Sequence, residues 1–300
     1  MFARRHPFLF FSMIITACGT LVALAIVLMI FFTSKQVSSQ WSKQQSSING
    51  NIGIVEITGV IFSSKKIIQE IQDFREDKSI KAIILRVDSP GGGIGPSQEI
   101  YREIEKTRLD KKIITSMGSV AASGGYYIAS ATDGIIANPG TITGSIGVIM
   151  EYANIMDIIK KIGISPVVIK SGQFKDMGSP LRELEESEKK IFQDLVDELH
   201  QQFVSDAAKA RKMPLDKMSA LADGRVYTGQ TALNLKLIDR LGNLDDAIVW
   251  AGELAQIKGK LKPVYPKEDK LTFIKRLTQT LLKDLNITSA VSNNLRYIIN

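Results

Sequence analysis

Apolar and polar positions follow three regimes along this chain. Residues 8–32 are 25 consecutive positions without a charge. As a helix rising about 1.5 Å per residue they span roughly 37 Å, more than the about 30 Å of a bilayer core. A cleaved signal carries only about 7–15 apolar residues, so the first reading is a retained transmembrane signal anchor. Two others stand beside it. Residues 15–19 (ITACG) look like a lipobox around Cys18, with Arg4 and Arg5 as its basic start; the apolar stretch 21–32 beyond Cys18 counts against it. A buried core helix is the third, and its flanks count against that: two arginines before, a Ser- and Gln-rich stretch after.

Residues 33–50 are polar and read as a tether. Strand and helix patterns then alternate. Residues 52–62 predict a strand, 67–74 a helix, and 81–87 (KAIILRV) a buried strand. A glycine loop at 90–95 precedes a helix through 108, with Pro96 in its first turn. Strands follow at 112–117 and 134–137, with a helix over 121–131 between them. Further on come a helix at 154–162 and a strand at 166–170 (PVVIK). A long helix starts at Ser179-Pro180, capped by Ser179 and favoured by Glu183, Glu185 and Glu186 at its positive end. Phe192, Leu195, Val196, Leu199 and Phe203 form its apolar stripe. Residues 226–251 predict further helix and turn. Such alternation implies an α/β fold, a largely parallel sheet covered by helices. A separate stripe, Leu271, Ile274, Leu277, Leu281, Leu282 and Leu285, predicts an amphipathic tail serving as a packing or oligomer face, or else lying on a membrane. The organisation expected is a cytoplasmic start (1–7), a membrane anchor (8–32), a tether (33–50), one catalytic domain (51–260) and a helical tail (261–300).

Charge orients this picture. Arg4 and Arg5 favour the N-terminus inside, against Lys35 and Lys43 on the other side, so the domain is expected outside the cytoplasm. The net charge of +7 is spread among scattered lysines. With no basic stripe interleaved with aromatics, anionic lipid headgroups rather than nucleic acid are the expected partner. A single cysteine excludes an intramolecular disulfide. Two histidines and that cysteine form no ligand-spaced cluster, so neither a metal nor a cofactor is expected.

The chemistry concentrates at 119–127, SVAASGGYY. Ser123 stands in a small-residue turn before Gly124 and Gly125. A serine hydroxyl needs a base within hydrogen-bond reach and donors for the oxyanion it creates. The Gly124 N–H at a helix start suits the second need, and the PGGG loop at 90–93 offers another donor close to a ligand. The base is scarcer. His6 precedes the apolar run, and His200, one step off its helix stripe, reads as a solvated or helix-flanking residue. Asp88 and Asp133 at strand ends could only orient a base. A desolvated lysine qualifies, and several lie near loops. Taken alone, AASGG is a common helix–strand contact, PGGG a structural turn or acyl-CoA-binding loop, and a loop lysine a solvated charge.

Four segments in order change that balance: SMGSVAASGGYYIAS (116–130), TITGSIGVI (141–149), IKSGQFKDMGSP (169–180) and DGRVYTGQTALNLKLID (223–239). They resemble the signal peptide peptidase A family in its short, membrane-bound bacterial form, over about residues 52–254 plus the N-terminal anchor. The resemblance implies a Clp protease/crotonase-like fold and a serine–lysine peptidase that degrades hydrophobic peptides, chiefly remnant signal peptides, at the outer face of the bacterial cytoplasmic membrane. Residue by residue, it implies Ser123 as nucleophile, Lys175 as general base, Ser145 as the serine that hydrogen-bonds the lysine, and Gly92 and Gly124 as oxyanion donors. It also implies an octameric ring in which Ser123 and Lys175 meet across protomer interfaces, because the long forms carry the two residues in different tandem halves. Two other classes stay open on sequence: a crotonase-type acyl-CoA enzyme, which shares the oxyanion architecture, and a non-catalytic membrane scaffold.

Overall fold

The structure is a computed structural model that describes Phe8 and residues 50–266. The expected anchor, tether and C-terminal stripe, with His6 and Cys18, lie outside the described residues apart from Phe8 and the ends of the flanking segments. No helix among the described residues is long and apolar enough to cross a membrane.

The unit that begins at Gly50 is built on one mixed sheet. Strand β1 (Ile52–Thr58) leads to helix α1 (Lys65–Glu76), β2 (Ala82–Ser89), α2 (Ile94–Thr107), β3 (Lys112–Ala122), α3 (Gly124–Ser130), β4 (Gly134–Ala137) and β5 (Ile142–Gly144). Then come α4 (Met156–Lys161), α5 (Glu186–Ala210), α6 (Leu215–Leu221), β6 (Val226–Thr228), α7 (Gly229–Asn234), β7 (Arg240–Leu241), α8 (Leu244–Leu254) and β8 (Pro263–Val264). The sheet order is β6-β5-β3-β2-β1-β8, and every pair is parallel except β5 with β6. β3 is long enough to serve two neighbours on one edge. Ile114–Ser116 pair with β4, and Val120–Ala122 pair with β5. The α/β class with a largely parallel sheet is therefore as the alternating pattern predicts.

Period-two burial explains the layers. Ile52, Ile54, Ile84 and Ile114 point to one face, where α8 covers them with Ala247, Trp250 and Ala251. On the other face Phe74 of α1 closes over Gly53, where a Cβ would stand 2.5 Å from its ring. Each fully buried isoleucine contributes about 1.5–3 kcal/mol of transfer free energy, and the sheet centre is made of such residues.

Several boundaries differ from the pattern reading. The first strand stops at Thr58, and only Ile61 of the remainder bridges, to Gly92. β3 runs to Ala122, so the following helix loses Ala121 and Ala122 and starts at Gly124. The helix at 154–162 shortens to Met156–Lys161. Residues 226–251 hold the two short strands β6 and β7 as well as helix.

The β-branched run 166–170 is not a strand. Its Val167 and Ile169 are 85% and 97% exposed, because no neighbouring strand is there to receive them. Helix α5 does not start at Ser179. It starts at Glu186, where Glu185 and Glu188 form a reciprocal capping box, while the Ser179 hydroxyl accepts only the Leu181 N–H at 3.3 Å. The stripe on α5 is also shifted. The helix buries Phe203, Val204, Ala207 and Ala208, whereas Leu195 stays 40% exposed.

Candidate active site

β3 carries a local irregularity before the site. Its register with β2 slips between Val87 and Ser89, and Asp88 supports the slip by accepting the Val120 N–H at 3.0 Å. Gly118 is needed there, since a Cβ on it would lie 2.8 Å from the Asp88 carboxyl carbon. Asp88 is thus a structural acceptor in a bulge. Asp133 is likewise committed: it accepts the Ile113 N–H and pairs with Arg108 and Lys112.

The continued strand delivers Ser123 to a sharp turn into α3. Ser123 has φ 51° and ψ −122°, a conformation sparsely populated by non-glycine residues. Two backbone bonds hold it: its N–H donates to the Gly144 carbonyl at 2.8 Å, and its carbonyl accepts the Tyr127 N–H at 2.8 Å. Its hydroxyl is half-buried and bonded to no described residue.

The glycine loop lies directly against this turn. Ile61 bridges the loop, donating to the Gly91 carbonyl and accepting the Gly93 N–H, both at 2.9 Å. In such a parallel bridge the polar groups of the middle residue, Gly92, point away from Ile61. The Gly92 nitrogen lies beside the serine turn: a Cβ built on Gly124 would stand 3.2 Å from it. Gly91 (φ 102°) shows how tight the approach is, since a Cβ there would meet the Gly124 nitrogen at 2.6 Å and the Ser123 Cβ at 2.9 Å. Two main-chain donors, Gly92 N–H and Gly124 N–H, therefore flank Ser123. Because α3 has only seven residues, these N–H groups matter more than any dipole.

Around them opens a shallow cleft. Gly92, Ser123 and Gly124 lie at its edge with Ser97, and Gly147 and Val148 follow Ser145 along it. Ile94, Tyr127, Leu199 and Phe203 give it an apolar wall. Tyr127 is clamped from behind. Its ring meets those of Tyr101 and Phe203 at 5.1 and 4.7 Å, and its hydroxyl bonds the Asp206 carboxylate. Burial and that carboxylate raise the Tyr127 pKa far above the ordinary phenol value, so it stays protonated.

Ser145 is positioned from the same ladder. It follows Gly144, the acceptor of the Ser123 N–H, adopts φ 50°, and donates its own N–H to the Arg225 carbonyl at 2.9 Å. Ser123, Gly124, Gly92 and Ser145 are thus brought together within the chain. Lys175 is not. It sits on an exposed turn over residues 173–178, lines no part of the cleft, and its ammonium has no side-chain partner among the described residues. His200 is half-buried rather than solvated. Its Nε2 is shut off from solvent without a hydrogen bond and does not line the cleft. No group of three or more His, Cys, Asp or Glu among the described residues could hold a metal.

The sequence does not show that Ser97, Leu199 and Phe203 reach the cleft. Ser97 is 3% exposed and donates to the Gly93 carbonyl at 2.9 Å, which reads in sequence as an ordinary first-turn serine. Leu199 and Phe203 were legible as apolar but not as cleft residues, since only the packing of α5 beside α3 turns them toward Ser123.

A strained serine on a strand–helix turn, with two main-chain nitrogens close by and an apolar cleft beside it, is an arrangement suited to acyl transfer. Residues 105–258 match the model of a family described as Peptidase family S49. A protein of Synechocystis sp. bearing a protease name is 40% identical over 254 residues, covering 82% of this chain and 92% of its own. One of Enterococcus faecium, named for signal peptide peptidase SppA, is 36% identical over 233 residues, 73% of this chain and 67% of its own. "Serine protease SPPA, chloroplastic" of Arabidopsis thaliana is 39% identical over 212 residues, 70% of this chain and 31% of its own. The chain belongs to peptidase family S49, and it is a serine peptidase related to signal peptide peptidase A. That membership sets aside the acyl-CoA enzyme and the non-catalytic scaffold.

Proposed function

We propose that this peptidase is a membrane-anchored endopeptidase that uses a Ser123–Lys175 dyad to degrade hydrophobic peptides, chiefly signal peptides left in the membrane after preprotein processing. The observation that carries the reading is the convergence of Ser123 with the Gly92 and Gly124 N–H groups at the edge of an apolar cleft. The Ser123 hydroxyl attacks the scissile carbonyl, and the neutral Lys175 amine takes its proton. The oxygen that becomes negative moves between the two glycine donors. Removing one such donor typically costs about 10²–10³ in rate. Lys175 then protonates the leaving amine, and in the second half it activates the water that releases the acyl group from Ser123. Ser145, beside the nucleophile, holds the lysine amine by a hydrogen bond.

Within one chain Lys175 lies outside the cleft, so the dyad is completed between protomers. The proposed assembly is a ring of identical chains, an octamer, with a Clp protease/crotonase-like protomer and each site shared by two neighbours. The exposed apolar run between Ile149 and Phe174 supports this, because a single chain leaves it without a partner. The proposed location is the bacterial cytoplasmic membrane, with a single-pass anchor at 8–32, the catalytic domain outside the cytoplasm, and lipid rather than nucleic acid beside it.

The test is hydrolysis of an unstructured hydrophobic peptide by the purified protein, compared with Ser123→Ala and Lys175→Ala. Both variants are expected to lose about 10³-fold or more in kcat at unchanged oligomer size. A Lys175→Ala protein that keeps the wild-type rate would assign the base elsewhere.

A further inference from the structure

The segment that carries Lys175 has almost no core of its own. Over residues 150–185 every residue is exposed or only half-buried, and the apolar side chains face outward. What gives it a defined shape is polar. Arg182 donates six hydrogen bonds. Its Nε and Nη2 reach the two Asp176 carboxylate oxygens at 2.9 and 3.0 Å, and Nη2 also reaches the Asp176 carbonyl at 3.2 Å. Its Nη1 reaches a Glu188 carboxylate oxygen at 2.8 Å and the Glu183 carbonyl at 3.0 Å. Lys170 closes the group from the other side, bonding Asp176 at 2.6 Å and the Gln173 carbonyl at 2.8 Å.

The ends of this bridge matter. Glu188 is 2% exposed and fixed a second time by the Glu185 N–H at 3.0 Å, in the capping box of α5. Asp176 is the residue after Lys175, on the turn whose backbone is closed by the Lys175 N–H to the Gly172 carbonyl at 3.2 Å. The guanidinium therefore ties the backbone next to Lys175 to the first turn of a 25-residue helix. That same helix runs on to Leu199 and Phe203 in the Ser123 cleft. Burial alone cannot do this here, and a planar fork bonded to two carboxylates is suited to fixing direction as well as distance.

We propose that Arg182, with Asp176 and Glu188 as its two anchors, is a positioning residue for the reaction: it sets the point and direction from which Lys175 leaves its turn toward a neighbouring protomer's serine. This rests on the reading of Lys175 as base. Asp176 and Glu188 act only through Arg182, and none of the three touches substrate.

The experiment uses the full-length protein and four variants: Lys175→Ala, Arg182→Gln, Arg182→Lys and the double Lys175→Ala/Arg182→Gln. Peptide kcat and KM are measured together with oligomer mass and melting temperature. Arg182→Gln is expected to lower kcat by about 10–100-fold with KM within about twofold, as for a catalytic group moved by about an ångström. Arg182→Lys should fail to restore it, because one ammonium cannot bridge both carboxylates in plane. The double variant should be no slower than Lys175→Ala alone, since Arg182 has then lost the group it positions. Should Arg182→Gln not assemble, Glu188→Gln keeps the shape of the bridge, weakens one end, and is read the same way. The proposal is overturned if Arg182→Gln keeps kcat within about twofold, if KM rises instead, or if the two losses multiply in the double variant. A Lys175→Ala protein of wild-type rate marks the separate failure of the base itself, and a slow Arg182→Gln beside it would assign Arg182 to folding alone.

Discussion

At the scale of single residues, the site depends on the absence of side chains. A Cβ on Gly124 would stand 2.6 Å from the Ser97 hydroxyl, which is itself bonded to Gly93, and would press on the Gly92 nitrogen. Gly124→Ala is therefore expected to splay the two donors, with a loss of about 10²–10³ in kcat. Its cost in stability should stay near 1–3 kcal/mol, as for overpacking a tight contact. A thermal melt beside the kinetics separates the two, and a Gly124→Ala enzyme of full rate would contradict the assignment of that N–H. Much of this was legible in the sequence. Ser123, Gly124 and Gly92 are recognisable because the turn and the loop are each local and both demand glycine. Ser97 was not, because its part depends on which loop the sheet lays beside it, and the sequence holds no sign of that contact.

At the scale of elements, helix α5 shows where pattern reading fails and why. Ser179-Pro180 followed by glutamates has the composition of a helix start, yet the helix begins at Glu186. The intervening residues are held by Arg182 bridging Asp176 and Glu188, and tertiary charge pairing overrode a local signal. This arrangement makes the helix start sensitive to acid. Hydrogen bonds from Arg182, then the Glu185 N–H, hold the Glu188 carboxyl down at about 2 from an ordinary 4.5. Asp176, facing Arg182 and Lys170, is held still lower. A carboxyl whose folded pKa is depressed contributes stability that is complete above its unfolded value and is lost as pH falls through the folded one. Amide protection in the first turn of α5 is thus expected to be full at pH 6, to weaken progressively below about 4.5 and to be only partly left at about 2. Hydrogen exchange across that range checks this. Glu188→Gln should flatten the response, and protection that stays constant down to pH 2 would show that packing holds the helix start.

At the scale of the molecule, the layered α/β unit could be read from alternation, because buried parallel strands such as β2 carry nearly continuous apolar sequence. The exposed valines and isoleucine of residues 167–169 could not be read so, since the same residues suit a strand and an interface between chains. Ile169→Glu distinguishes these. Ile169 is 97% exposed in the single chain, so the substitution should change its stability by no more than about 0.5 kcal/mol. It is expected to reduce the mass of the assembly in light scattering and to abolish peptide hydrolysis. An Ile169→Glu protein that keeps wild-type mass and rate would remove this face from the proposed interface.

The account turns on Ser123 and Lys175 coming from different protomers, and mixing tests it most directly. Ser123→Ala and Lys175→Ala proteins, each inert alone, are dissociated, combined in equal amounts and reassembled. Random assembly then joins an intact serine to an intact lysine at about one quarter of the sites in a symmetric ring. Recovery of roughly that fraction of the wild-type rate is the predicted result; mixed assemblies of wild-type size that stay inert would place both residues of the working pair in one chain and contradict the shared site.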